Sequence, residues 1–338
     1  MNNSRQFWID AFKAICMVCV YIYHTGHYYG INYIEYLFPI IPFYVNGFFF
    51  ISGYLLFKNY MSKQVYSKKE YIRGIKNIFF RLALPTVIFS ILAYIPKHHG
   101  AITIDGFLIN TIGGTSFWFT SALCVSQTIL TALFLCNKKN IWSYFILSTI
   151  LLIIINIYGD IRSKPAEEYF PWYWQTGLIY LFIMCLGGVY QKHETSVYKL
   201  ISKPFYIILL TIGYACIEYC SLLYPAYHFG LSGKNNLLGI TGTIFAILLM
   251  IPITNRIKEN HLLQFIGKNS IVFYFLSGAV PITVATITNY LFEEKTYSIY
   301  ACITIASLAV SYGTTYIITR YMPFIFDLRT LKSMKRNS

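Results

Sequence analysis

Three features of this sequence predict one fold class: an all-α polytopic membrane protein of about ten transmembrane helices in a single bundle, with both termini in the cytoplasm. The first is composition. Of 338 residues, 56% are hydrophobic, 19% aromatic and only 12% charged, whereas a soluble domain carries about a quarter charged residues. The second is run length. Apolar stretches near the roughly 20 residues of a helical span recur along the whole chain. They are continuous rather than alternating, which predicts helices and excludes a membrane barrel. The third is where the positive charge falls.

Taken in order, the first span covers 7–29, follows Arg5, and carries Asp10, Lys13, His24 and His27. The second, 37–57, contains Ser52-Gly53 and is followed by the densest basic connection, from Lys58 through Arg73 and Lys76 to Arg81. The third, 78–95, opens on Arg81 and Pro85. The fourth, 116–136, begins "SFWFTSALC" and ends before Lys138 and Lys139. The fifth covers 141–158, and the short sixth, 175–190, precedes Lys192, Lys199 and Lys203. The seventh, 205–224, holds Glu218. The eighth, 236–253, has helix-weakening Gly239 and Gly242 and precedes Arg256, Lys258 and Lys268. The ninth and tenth, 269–291 and 298–319, lead into a basic tail over about 321–338. The alternate connections hold only Lys97, Arg162, Lys164, Lys234 and Lys295. This is the positive-inside pattern, and it puts both ends in the cytoplasm.

The net charge of +14 is thereby explained as topology and contact with anionic headgroups, not nucleic-acid binding. The N-terminus lacks the short apolar run and small-residue cleavage site of a signal peptide. All eight cysteines fall within or at the end of spans. Cys16 and Cys19 have metal or redox spacing but no second ligand pair, so no metal is expected. The expectation is one membrane domain over 1–338.

Ionisable groups inside a membrane are costly and mark candidate functional positions. Asp10 and Lys13 are three apart and can pair on one helix face. Lys13 and His24, eleven apart, share a face at a separation of roughly 16 Å along the axis. That geometry suits a long ligand with an anionic end at Lys13 and a reactive end at His24. It suits equally a snorkelling lysine and a core histidine bonded to a neighbouring helix. Ser52 beside Gly53 allows close backbone approach between helices. Arg81, at the start of a span, calls for an anionic partner. Trp118 falls near the outer boundary, where tryptophan anchors helices. The outer loop "AEEYFPWYWQ", 166–175, suits sugar rings as well as a belt. Glu218 needs a partner or a water-lined cavity, and Arg81 and Lys13 are the candidate counter-charges.

In order along the chain, "WIDAFK" followed by ten residues and then His24, "FFFISGYLL", "RLALP", "SFWFTSALC" and the late "FIGKNSIVFYFLSGAVPI" resemble the acyltransferase-3 superfamily of integral-membrane O-acyltransferases. Sugar and polysaccharide O-acetyltransferases are the branch it looks like. The resemblance implies that His24 is the essential histidine and general base, and Lys13 its basic partner, where relatives often carry arginine. It implies that Arg73, Lys76 and Arg81 face the nucleotide end of coenzyme A. Asp10, Ser52, Trp118 and Glu218 are expected in substrate or supporting positions from their own placement as polar or aromatic groups in the spans. Ser277 stands where relatives commonly carry a histidine, which departs from the pattern. The implied reaction moves an acyl group, acetyl first among candidates, from cytoplasmic acetyl-CoA to a hydroxyl of a cell-surface or lipid-linked glycan. The setting is a bacterial cytoplasmic membrane, with lipids as the other partner. Direct transfer and an acyl-histidine intermediate both remain open. A transporter or flippase for a lipid-linked sugar is the competing class, and a non-catalytic acyl-CoA sensor a third.

Overall fold

A computed structural model describes residues 6–31, 41–97, 103–137, 140–158, 172–223, 237–292 and 294–322. Among them every regular element is helical. The helices are α1 (Phe7–Tyr29), α2 (Ile41–Met61), α3 (Lys68–Ile78), α4 (Leu84–Lys97), α5 (Ile104–Asn110), α6 (Trp118–Leu133), α7 (Ile141–Tyr158), α8 (Trp174–Lys192), α9 (Glu194–Ile201), α10 (Pro204–Leu223), α11 (Leu237–Arg256), α12 (His261–Lys268), α13 (Ser270–Leu291) and α14 (Tyr297–Tyr321). The described part of each of the ten expected segments falls mainly on helix, the third running from the end of α3 through the turn at 79–83 into α4. Six stretches are long and apolar enough to cross a membrane, and seven if the bent pair α9–α10 counts as one span. α7 is apolar but shorter in its described part, Ile141–Ile155, while Tyr, Trp, Asn and Gly dilute the apolarity of α2 and α8. Most of the aromatic outer loop at 166–175, and the tail beyond 322, lie outside the described residues.

The described residues cluster into two compact units. Unit one takes those of 1–48, 195–230 and 237–321. Its axis is α1, which packs against α11, α12, α13 and α14. Ala11, Phe12, Ala14, Met17 and Tyr21 are wholly buried, so this helix is clothed in protein rather than lipid. Polar pins fix it and its neighbours. Tyr21 donates its hydroxyl to the Phe273 carbonyl of α13 at 3.0 Å, and Asn46 of α2 donates to Thr243 of α11 at 2.7 Å. Gly30 ends α1 in the left-handed region, at φ 77°, and returns its N–H to the Gly26 carbonyl, a conformation that favours glycine.

Unit two takes the described residues of 49–194. Its centre is the contact of α2 with α8, made backbone on backbone. A Cβ on Gly53 would run into the Met184 backbone, and one on Gly187 into the Phe50 carbonyl. This is how membrane helices gain van der Waals contact without a hydrophobic drive. Ser126 ties α6 to α8 through the Gly177 carbonyl at 2.7 Å. α3 opens on a capping box in which Ser67 and Glu70 satisfy each other's backbone N–H groups. Between α3 and α4 the helix widens into a π turn over Phe79–Ala83, with Leu84 N–H bonded to the Phe79 carbonyl. Pro85 accounts for it. It offers no N–H to the Arg81 carbonyl four residues earlier, and its ring crowds that carbonyl.

Candidate functional site

The expected site residues divide between the units. Unit one holds Asp10, Lys13, His24 and Glu218; unit two holds Ser52, Arg73, Lys76, Arg81 and Trp118.

His24 is half-buried on α1. The Tyr28 ring stacks on its imidazole at 5.9 Å and 16°, and the Tyr23 ring meets it edge-on at 5.4 Å. His27, one turn on, is exposed and stacks on the other side of the cluster against Tyr23 at 6.4 Å. The local sequence "YIYHTGHYY" builds this arrangement unaided, because residues three and four apart on a helix lie side by side. One stacked and one edge-on ring restrain the imidazole, which stays half-buried, an environment that suits proton transfer.

Lys13 is engaged differently. Its ammonium donates to the Gly267 carbonyl at 2.6 Å and sits 3.5 Å from Asp10, whose carboxylate is wholly buried. Gly267 is in the last turn of α12, where unpaired carbonyls carry the negative end of the helix dipole and favour a cation. A Cβ at Gly267 would strike the Asp10 carbonyl, so the glycine lets α12 approach closely enough for the bond. The pairing expected from the three-residue spacing is present, and Gly267 is a partner that sequence reasoning missed.

Glu218 is buried on α10, and its Oε2 has no hydrogen-bond partner among the described residues. The Tyr214 hydroxyl, one turn before it, lies beside this carboxylate. The expected pairing with Lys13 is not formed; the Lys13 ammonium is bonded to Asp10 and Gly267.

In unit two, Arg73 and Lys76 are exposed on α3, and Arg81 is exposed within the π turn. None of the three has a carboxylate partner among the described residues. The anionic partner expected for Arg81 is therefore not found there, and the reason is positional: the side chain leaves the helix on its outer surface. The Glu70 carboxylate is 2.7 Å from Lys63 instead. Ser52 is half-buried beside the Gly53 contact with α8. Trp118 starts α6 half-buried, edge-on to Phe119 at 6.2 Å and 6.3 Å from Tyr180. Sequence reasoning also passed over the intramembrane pair Asn46–Thr243, two ordinary polar residues 197 positions apart.

Compared with known families, the chain matches the acyltransferase-3 model, described as an acyltransferase domain, over residues 6–316. No curated protein and no solved structure gives a significant match.

Proposed function

We propose, on the premise that this chain belongs to the acyltransferase-3 family, that it moves an acetyl group from acetyl-CoA to a hydroxyl of a cell-surface or lipid-linked glycan. Family and helices together make it a membrane acyltransferase; the donor, the acceptor and the residue roles are our reading. The observation that carries it is His24, a half-buried imidazole packed against two tyrosine rings on a helix of membrane length. Neutral His24 takes the proton of the acceptor hydroxyl as its oxygen attacks the thioester carbonyl. The new ester forms, the carbon–sulfur bond breaks, and the departing coenzyme A thiolate receives the proton from the imidazolium.

Coenzyme A is polyanionic, and Arg73, Lys76 and Arg81 are exposed cations unneutralised by carboxylates among the described residues. That supports assigning them to its phosphates. Lys13 is assigned to the same end of the donor through α1, which it fixes by its bonds to Asp10 and Gly267. Ser52, Trp118 and Glu218 are assigned to the substrate side. The whole of 1–338 is read as one acyltransferase domain with ten spans in a bacterial cytoplasmic membrane.

The test is acetyl transfer by purified protein in lipid, with labelled acetyl-CoA and a glycan acceptor. His24→Ala should lower the rate by about 10²–10⁴-fold, with expression and helix content unchanged. Wild-type rates in that variant would overturn the assignment.

A further inference from the structure

α14 is built inside out. Its buried residues are Ile303, Thr304, Ser307, Ser311 and Thr315, while Ile305, Val310 and Ile317 face away from the protein. Small residues at a membrane helix contact ordinarily serve close packing, with their hydroxyls folded back onto the helix's own carbonyls. Several hydroxyls of α14 do this. Thr304 donates to the Tyr300 carbonyl at 3.0 Å, Thr314 to Val310 at 2.9 Å and Thr319 to Thr315 at 2.8 Å. Ser307, Ser311 and Thr315 do not. Their hydroxyl oxygens are buried; those of Ser307 and Thr315 have no hydrogen-bond partner among the described residues, and Ser311 has the Tyr21 hydroxyl beside it.

A further such group comes from a different helix. On α1, Tyr21, Thr25 and Tyr29 follow one another at four-residue spacing along one face. Tyr21 bonds the Phe273 carbonyl of α13 and lies beside Ser311 of α14. Tyr29 packs on Ala285 of α13 and Ile303 of α14. Thr25 stands between them, wholly buried, and its hydroxyl also lacks a partner among the described residues. On α14, Ser307 stands between Ser311 and Ile303, so the orphan hydroxyls of two helices converge on one seam. Buried polar groups left without partners cluster where water completes them, because a water molecule needs two to four polar neighbours.

We propose that the seam of α1, α13 and α14 binds a file of water molecules, running from Thr25 and Ser307 past Ser311 to Thr315. Along α14 the three hydroxyl positions cover about 12 Å. The helix runs antiparallel to α1, so the Thr315 end lies toward the end at which α1 begins. Thr25 directly follows His24, and the file therefore brings water to the depth of that imidazole. In the acyl transfer proposed above, and resting on that reading, this gives His24 a route for exchanging its proton with the aqueous phase.

Silver ions, which are close to water in size and react with thiols in hydrated sites, test the file in full-length protein freed of its own cysteines. Ser307→Cys and Ser311→Cys should react at least tenfold faster than Ile305→Cys, which is 68% exposed on the apolar face. Equal or slower reaction would overturn the proposal. If the cysteine-free chain fails to fold, Ser307→Ala in the native chain decides. Removing a water ligand should lower the midpoint of thermal unfolding, whereas removing a dry, unpaired hydroxyl would raise it. Neither measurement uses acyl transfer, so failure of the file and failure of the enzymatic reading are separable.

Discussion

Lys13 gives its ammonium to the Gly267 carbonyl and to Asp10, and that arrangement sets what each substitution should do. Lys13→Met removes the ammonium that lies 3.5 Å from a wholly buried carboxylate. It should cost about 3 kcal/mol, seen as a lower unfolding midpoint in detergent, and Asp10→Asn in the same chain should recover most of the loss. A lysine serving acetyl-CoA alone would instead raise the KM for the donor at unchanged stability. The Asp10–Lys13 pair was legible, because i and i+3 on a helix are neighbours by geometry. The tyrosine rings beside His24 were passed over, although Tyr28 stands four residues on along the same helix. Gly267 was not legible: it stands 254 positions away, and nothing in "FIGKNS" says which helix will press against it. Glu218 was legible as an intramembrane carboxylate, but not its lack of an ion-pair partner, since a counter-charge can only be assigned once helices are neighbours.

At the scale of elements, α2 and α8 meet through glycines, and here the sequence was readable on one side. Ser52-Gly53 inside an apolar run signalled a close approach, yet the partner glycines at 187 and 188 carry the same signal with no indication that they answer it. Gly187→Ala would push a methyl group into the Phe50 carbonyl. It should destabilise the protein by about 1–3 kcal/mol, measured by thermal unfolding of the purified variant. Pro85 shows a different limit. Its effect on the helix behind it is a known local rule, but the outcome, a π turn that turns Arg81 outward, depends on how the chain relieves the crowded carbonyl. α3 likewise joins the third expected span ten residues early. Its capping box and basic face read in sequence as an ordinary charged connection.

For the whole molecule, apolar run length located the long apolar helices within a few residues, apart from the early start at α3, since hydropathy is a property of a segment alone. The short helices α5, α9 and α12 carry no such run. Which helices cross a bilayer is less direct, as the aromatic and glycine content of α2 and α8 shows. The alternation of positive charge carries the topology. Epitope tags at the two ends should both be shielded from protease in intact cells and cut after permeabilisation; cleavage of either in intact cells would reverse that end. The corner between α9 and α10 adds a constraint of a mechanical kind. The two helices meet at 82°, and Arg256 of α11 clamps the corner through the Ser202 carbonyl at 2.8 Å. Lys192, Lys199 and Lys203 around this corner are expected at the headgroup level, with α10 running down from it. Glu218 then lies about 21 Å along α10 from Pro204, in the far half of a hydrocarbon core of about 30 Å. Membrane thickness then sets whether this carboxylate sits in oil or reaches the opposite headgroups. Acetyl transfer measured in nanodiscs of graded acyl-chain length should pass through an optimum, and Glu218→Gln should flatten it.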